Sequence, residues 1–373
     1  MPSSAALQVR RTQAEIDLGA IAHNLALLRE AVGARTQVYG VVKADAYGHG
    51  LIPVAQRLVG EGIEGLCVAL VEEGLALRRA GLTCPVLVLN GLYGDAHGDV
   101  LRAGLTPVVY DSRDLVRFRD AAGNAEVRIH LKVDTGMTRL GVRPEGLASF
   151  LDQVERASVT VEGLMTHLSS AEDGPETTEA QLGSFEDAAK RVRARGHRPI
   201  LHAANSAGAW LRPRARGELV RAGVALYGVR PTADSVLDLR PAMRLVTSVA
   251  RVADVPAGTA VGYGRTWVAS QPSRIATLAI GYGDGLMRHL SNRGAALIGG
   301  RRCPIVGRVS MDLTSVDVTG LTACERGDEA ILIGTQGEAV IRAEEVAAAA
   351  GTIAYEVLSN ISPRVPRIQV EAP

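Results

Sequence analysis

Short apolar runs recur between about Gln37 and Gly228, and most are separated by stretches of helical periodicity. The runs are QVYGVV (37–42), GLCVAL (65–70), PVLVLN (85–90), LTPVVY (105–110), VRIHLKV (127–133), TVEGLMTH (160–167), PILHAA (199–204) and LVRAGV (219–224). They read as eight β-strands. Between them, LIPVAQRLVGEG, VEEGLALRRAG, SRDLVRFRDAAG and TEAQLGSFEDAAKRVRARG read as helices with one apolar face. Strand–helix alternation predicts a parallel sheet, because each parallel crossover needs a covering helix. Eight such units in ~200 residues suit a closed (β/α)8 barrel better than an open sheet. AEIDLGAIAHNLALLREAVG precedes the first strand, with a helix beginning near Gly19.

The texture changes after about Arg240. MRLVTSVARVADV, RIATLAIGYG, AALIGGRRCPIVGRVS, LTSVDVT and EAILIGT are short β-rich runs punctuated by Gly and Pro. They predict a mainly antiparallel β-domain interrupted by one helix at IRAEEVAAAAG. The expected organisation is therefore a barrel over 1–240 and a β-rich domain over 241–373. The first ~12 residues are a tail or part of the β-domain.

Composition narrows the class. Hydrophobic content of 47% and a net charge of +1 give no electrostatic reason to expect nucleic acid or an anionic membrane as partner. Cys67, Cys84, Cys303 and Cys324 lack metal-ligand spacing, so no metal is expected, and they read as reduced thiols of a cytoplasmic protein. The N-terminus shows no apolar leader segment, and no apolar run approaches the ~18 residues of a spanning helix.

Of 41 lysines and arginines only three are lysines: Lys43, Lys132 and Lys190. Guanidinium stays protonated, whereas an amine can lose its proton and attack a carbonyl. Lys190 lies in the charged run EDAAKRVRAR and reads as solvated. Lys43 follows the first barrel strand, and Lys132 and Arg139 lie at and just beyond the fifth. His167 closes the sixth, Asn205 and Ser206 follow the seventh, and Arg221 lies in the eighth with Gly223 and Val224 at its end. In a barrel these strand ends share one face, where such folds place active sites. Lys43 is the nucleophile candidate, since an apolar wall would lower its pKa. Ser206 opens the helical stretch SAGAWL, which offers N–H groups to an anion or is simply an ordinary cap.

VVKADAYGHG resembles the pyridoxal-phosphate attachment motif of alanine racemases. The likeness continues through LKVDTGMTRLG, GLMTHLSSAED, HAANSAG, RAGVALYG, VGYGRTW, IGYGDG, VGRVSMD and TIAYEVLSNISPRVPR, so it covers nearly the whole chain. The resemblance implies a homodimer whose active sites are shared between subunits, with pyridoxal 5'-phosphate as cofactor. It implies that Lys43 holds the cofactor covalently and is one acid/base, and that Tyr263 of the partner subunit is the other. Tyr47, Tyr355, Asn205, Ser206, Gly223 and Val224 would bind the cofactor, most of them at its phosphate. Arg221 would face the pyridine nitrogen, and His167 would link Arg221 to Tyr263. Arg139 and Met311 would hold the substrate carboxylate. Lys132 matches a position often carbamylated in the family, where it orients Arg139. Tyr282 would narrow the entrance near Asp312. Two positions depart from the common pattern: Thr138, more often Gly or Asn, and Ser310, where Cys is frequent.

The implied reaction interconverts L- and D-alanine, supplying D-alanine for peptidoglycan. A proton leaves one face of a planar carbon and returns on the other, so one base on each face suffices. Arginine at the pyridine nitrogen cannot accept a proton and favours a weaker electron sink. Rival readings are a racemase of another small amino acid such as serine, a decarboxylase on the same plan, and a non-catalytic pyridoxal-phosphate carrier. The carrier would lack the β-domain, and the decarboxylase would carry a carboxylate where Arg221 stands.

Overall fold

The computed structural model describes residues 10–232 and 237–370. The expectation for the extreme N-terminus falls partly on residues 1–9, outside the described residues. The chain forms two compact units. Of the described residues, one unit holds those within Ile21–Ala46 and Gly50–Arg240; the other holds residues 10–20, Tyr47–His49 and those within 241–370.

The first strand, β1 (Gln13–Asp17), pairs antiparallel with Met243–Val255 and parallel with Arg367–Val370, and so belongs to the second unit's sheet. Its five residues alternate half-buried and buried, with Ala14 and Ile16 inward. Helix α1 (Leu18–Val32) follows at once, its N-terminus capped where Asp17 Oδ1 accepts from the Ala20 N–H at 2.9 Å.

The barrel unit contains β2 (Gln37–Val41), β3 (Gly65–Val68), β4 (Val86–Val88), β5 (Thr106–Val109), β6 (Val127–Lys132), β7 (Val159–Met165), β8 (Ile200–His202) and β9 (Leu219–Ala222). All eight expected strands are present. They are parallel, in the order β8-β7-β6-β5-β4-β3-β2-β9. Two backbone bonds bring the ends of that order together, Glu218 N–H to Leu201 O at 3.0 Å and Arg221 N–H to Ala204 O at 3.0 Å. Strands β3 and β4 are buried at every position, as crossover helices on the outside require. The helices are α2 (Lys43–Gly48), α3 (Leu51–Gly60), α4 (Val71–Arg79), α5 (His97–Arg102), α6 (Ser112–Ala122), α7 (Leu147–Arg156), α8 (Pro175–Ala194) and α9 (Ser206–Leu211). The clearest amphipathic case is α7, which buries Leu147, Phe150, Leu151 and Val154 at i, i+3, i+4 and i+7. His167 lies two residues past the end of β7 rather than within it.

The second unit is built on a nine-stranded sheet. Its strands after β1 are β10 (Met243–Val255), a separate β11 (Ala260–Val261) and β12 (Trp267–Val268) pair, β13 (Ser273–Leu278), β14 (Ala295–Ile298), β15 (Arg301–Pro304), β16 (Thr314–Asp317), β17 (Glu329–Gln336), β18 (Ala339–Ile341) and β19 (Arg367–Val370). Pairing is antiparallel except between β1 and β19. Two helices interrupt it rather than the one expected: α10 (Ala343–Ala350) and α11 (Ala354–Ser359). The second was hidden because six residues give too little periodicity, yet Ala354, Val357 and Leu358 fall on one buried stripe. Asp284 is wholly buried there and accepts two bonds from Arg10, at 2.9 and 2.7 Å, and one from the Gly281 N–H at 3.0 Å. That pairing makes a buried carboxylate tolerable.

Candidate active site

Lys43 begins α2 directly beyond β2, whose end is tied down where Tyr227 Oη donates to Val41 O at 2.9 Å. The turn it opens is left-handed: Ala44, Asp45, Ala46 and Tyr47 have φ of 52°, 55°, 53° and 54°. Left-handed backbone costs an L-residue about 1–2 kcal/mol and rarely persists over successive positions. Local bonds hold it. Ala46 N–H donates to Val42 O at 2.8 Å, and Glu73 Oε1 accepts from the Ala44 N–H at 2.7 Å. Asp45 Oδ1 accepts from the Leu51 N–H at 2.7 Å. The other Glu73 oxygen accepts from the Ala69 and Leu70 N–H groups, so one carboxylate joins the loops after β2 and β3. This geometry was not legible in KADAYG, because alanine carries no signal for positive φ.

Arg221, on β9, is buried at 3% exposure and its acceptors are neutral. Nη1 donates to His202 Nδ1 at 2.8 Å and His202 O at 3.1 Å, and Nη2 donates to Thr166 O at 2.9 Å and Ala203 O at 3.0 Å. His167 Nδ1 lies 3.4 Å from Nη2. Burial pulls the Arg221 guanidinium down to about 10, so it remains a cation at neutral pH.

That cation acts on its neighbours. Burial first, then Arg139 and Arg221, lowers the Lys43 pKa from the ordinary lysine value. Burial, then Arg221, Arg139 and Lys43, brings Lys132 down to about 8. Burial and the same cations hold His167 at about 3, so its ring is neutral. Lys132 ends β6 and is itself buried. Arg139 sits in the loop beyond it, where Asp134 Oδ1 accepts from the Gly136 and Thr138 N–H groups at 3.1 and 3.0 Å. Thr138 has φ 54°, which explains why Gly or Asn suits this position: the departure concerns backbone conformation rather than packing.

Asn205 caps α9, its Oδ1 accepting from the Gly208 N–H at 2.9 Å. Ser206 Oγ accepts from the Gly223 N–H at 2.9 Å and the Ala225 N–H at 3.3 Å. Oγ accepts in both bonds, so a hydroxyl also has a hydrogen to donate. The Gly223 and Ala225 amides, flanking Val224, therefore join the loops after β8 and β9 around one serine. Lys43, Lys132, Arg139, His167, Asn205, Ser206, Arg221, Gly223 and Val224 all lie at the C-terminal ends of barrel strands or just beyond.

The remaining candidates lie in the second unit. The Tyr47 and Tyr355 rings are 5.9 Å apart, and Gly48 O accepts from Arg367 Nε at 2.9 Å. Tyr282 N–H donates to Ser310 O at 2.9 Å and Gly283 N–H to Met311 O at 2.8 Å, which sets the Tyr282 turn against the 310–312 segment. Asp312 accepts from Arg364 Nη2 at 2.8 Å. Tyr263, Tyr282 and Met311 expose 68%, 42% and 53% of their surfaces. Sequence reasoning missed Glu73, His202 and the carbonyls of Thr166 and Ala203. Glu73 had a local signal, three residues after Leu70 at the start of α4, as in a capping box.

Comparison with known proteins agrees with this geometry. Residues 16–231 match the family model "Alanine racemase, N-terminal domain", and residues 242–369 match "Alanine racemase, C-terminal domain". The chain is 44% identical to an alanine racemase of Sorangium cellulosum, over 97% of this chain and all of that protein. An alanine racemase of Syntrophobacter fumaroxidans is 40% identical, over 93% of this chain and 94% of its own. Among solved structures, alanine racemase from Streptomyces coelicolor A3(2) superposes with a TM-score of 0.93 at 35% identity, covering 98% of this chain and 99% of that one. The Bartonella henselae alanine racemase, solved with covalently bound pyridoxal phosphate, gives a TM-score of 0.88 at 32% identity, covering 96% and 99%. With both family models matched in sequence order and relatives aligned nearly end to end, the chain belongs to the alanine racemase family.

Proposed function

We propose that this chain is a pyridoxal-phosphate-dependent racemase that interconverts L- and D-alanine with two bases, Lys43 and the partner subunit's Tyr263. The observation that carries the reading is the barrel-end cluster: an amine driven toward its free base beside a buried, permanently charged Arg221. The donor set suits the cofactor. Lys43 offers a nucleophilic amine for an aldehyde, the Ser206 hydroxyl can donate to a phosphate, and Arg221 can donate to a ring nitrogen but cannot accept from it.

When bound, pyridoxal phosphate supplies the electron sink that lets the α-proton of an amino acid depart. The protein's part is to place and move that proton. Lys43 takes or returns it on one face, which its lowered pKa favours. The Tyr263 hydroxyl serves the other face. Arg221 keeps its own protons and so leaves the ring nitrogen unprotonated, which limits charge build-up and side reactions. Arg139 and the Met311 backbone hold the substrate carboxylate, Tyr47, Tyr355, Asn205, Val224 and the Gly223 backbone complete the cofactor cradle, and neutral His167 bridges Arg221 and Tyr263. Tyr282, with Asp312 beside it, narrows the entrance, favouring alanine over longer side chains; serine is the nearest rival substrate.

The exposure of Tyr263, Tyr282 and Met311 fits a homodimer in which each subunit completes the other's site. Among the described residues no helix is long and apolar enough to cross a membrane. Four free cysteines, three of them buried, fit a cytoplasmic enzyme supplying D-alanine for peptidoglycan.

Lys132 carbamylation belongs to the same reading. An amine near pKa 8 is substantially free base at pH 8 and can add carbon dioxide, and the resulting anion would be stabilised by Arg139 and Arg221. Without carbon dioxide, the buried amine has a folded pKa of about 8 against an unfolded value near 10.5. The folded state then binds fewer protons than the unfolded state between these values, so stability rises with pH across that window. Below pH 8 the full penalty applies.

Replacing Lys43 with Ala should abolish both the visible absorbance of covalently held cofactor and racemisation; a variant that still binds cofactor covalently would contradict the assignment. Tyr263→Phe should slow deuterium exchange from L-alanine by about 10²–10⁴-fold while leaving cofactor binding intact. Equal loss of exchange and of cofactor binding would leave Tyr263 a packing role only. In bicarbonate-free buffer, urea unfolding should show the native chain losing roughly 3 kcal/mol relative to Lys132→Met as pH falls from 10.5 to 8. A difference that does not vary with pH would mean that Lys132 is not held near 8.

A further inference from the structure

Behind Arg221 the barrel interior holds two histidines that the chemistry above does not use. His202 is fully buried and His130 nearly so, at 0% and 3% exposure. His202 Nε2 lies 2.9 Å from His130 Nδ1, with the rings edge-to-face, 4.9 Å between centroids and 66° between planes. On its other side His202 Nδ1 receives Arg221 Nη1 at 2.8 Å.

The direction of both bonds follows from arginine. A guanidinium can only donate, so His202 Nδ1 must be bare and its single proton must sit on Nε2. That proton has His130 Nδ1 as its acceptor, so the His130 proton sits on Nε2. One protonation pattern satisfies all three groups, and the opposite His202 tautomer would set N–H against N–H. We propose that His130 is a positioning residue for Arg221: by accepting the Nε2 proton of His202 it fixes the one tautomer whose Nδ1 can receive the guanidinium.

Two further observations support this role. Burial and Arg221 hold His130 at about 3 and His202 well below its usual value, so neither ring competes as a cation. The neighbouring strand also makes room for the His130 ring. Gly163 pairs with His130 in the β6–β7 register, and a Cβ there would meet the ring Nδ1 at 2.4 Å. Glycine weakens a strand interior, so its place here is accounted for by the imidazole it admits.

The consequence for catalysis rests on Arg221 facing the cofactor ring as proposed above; the tautomer pattern does not. The test is ¹⁵N NMR of the histidine-labelled holoenzyme, whose eight histidines keep the spectrum tractable, alongside steady-state kinetics. In the native protein both His202 and His130 should be neutral with the proton on Nε2. His130→Asn, whose amide oxygen can stand where Nδ1 stood, should keep the His202 tautomer and a kcat within about threefold. His130→Leu should disturb the His202 signals and lower kcat about tenfold with KM little changed, the size expected when a buried donor loses its acceptor. A Leu variant with native His202 signals and native kcat would overturn the inference, as would a native His202 protonated on Nδ1. Should the Leu variant fail to fold, the native spectrum and the Asn variant still decide: loss of the tautomer in Asn refutes the relay. A native enzyme that does not racemise alanine would sink the proposed function alone, leaving the tautomer pattern to be judged by the spectrum.

Discussion

A cation buried in the barrel, with no carboxylate partner among the described residues, anchors the candidate site. Arg221 is buried with carbonyl oxygens and imidazole nitrogens as its acceptors, none of them charged. Burying a charge is costly unless its hydrogen bonds are met, and here three carbonyls near the ends of β7 and β8 converge to meet them. The barrel is what makes those carbonyls available, since parallel strands end on one face. Among the described residues no carboxylate pairs with Arg221, and burial first, with Arg221 the leading cation at Lys132 and His167 and Arg139 the leading one at Lys43, accounts for the depressed values of these groups.

Reactivity and rigidity are supplied by different parts of the same neighbourhood. Lys43 owes its free-base tendency to the cations and to burial, but its placement comes from a strained left-handed turn. That turn persists because Glu73 accepts from its Ala44 N–H and Asp45 within it accepts from the Leu51 N–H at the start of α3. Ser206 plays a similar part next along the barrel rim, after β8 and beside β9, by gathering the Gly223 and Ala225 amides. The second unit carries the exposed Tyr263, Tyr282 and Met311 in turns and loops between its strands.

Much of this was legible in the sequence, for definite reasons. Eight apolar runs separated by amphipathic stretches encode a parallel barrel, and scarcity of lysine made Lys43 and Lys132 stand out. Long motifs then identified the family. What stayed hidden was conformational or long-range. Ala44–Tyr47 carry no residue type that announces positive φ. QAEID is too short to reveal that β1 leaves the barrel for the other unit's sheet. His130 and His202 look like ordinary core histidines, 72 positions apart, until β6 and β8 place their rings in contact. Gly163 in a strand interior was the one local trace of that contact.

The chemistry of this site requires that the barrel end hold its amines below their ordinary range. Having only three lysines makes this directly measurable: heteronuclear NMR titration of the lysine-labelled protein without cofactor or bicarbonate resolves each one. Lys190, exposed and paired with Asp187, should titrate somewhat above the usual lysine value, Lys132 at about 8, and Lys43 below the usual value. Three overlapping titrations near 10.5 would show that Arg221 and burial do not set the chemistry of this site.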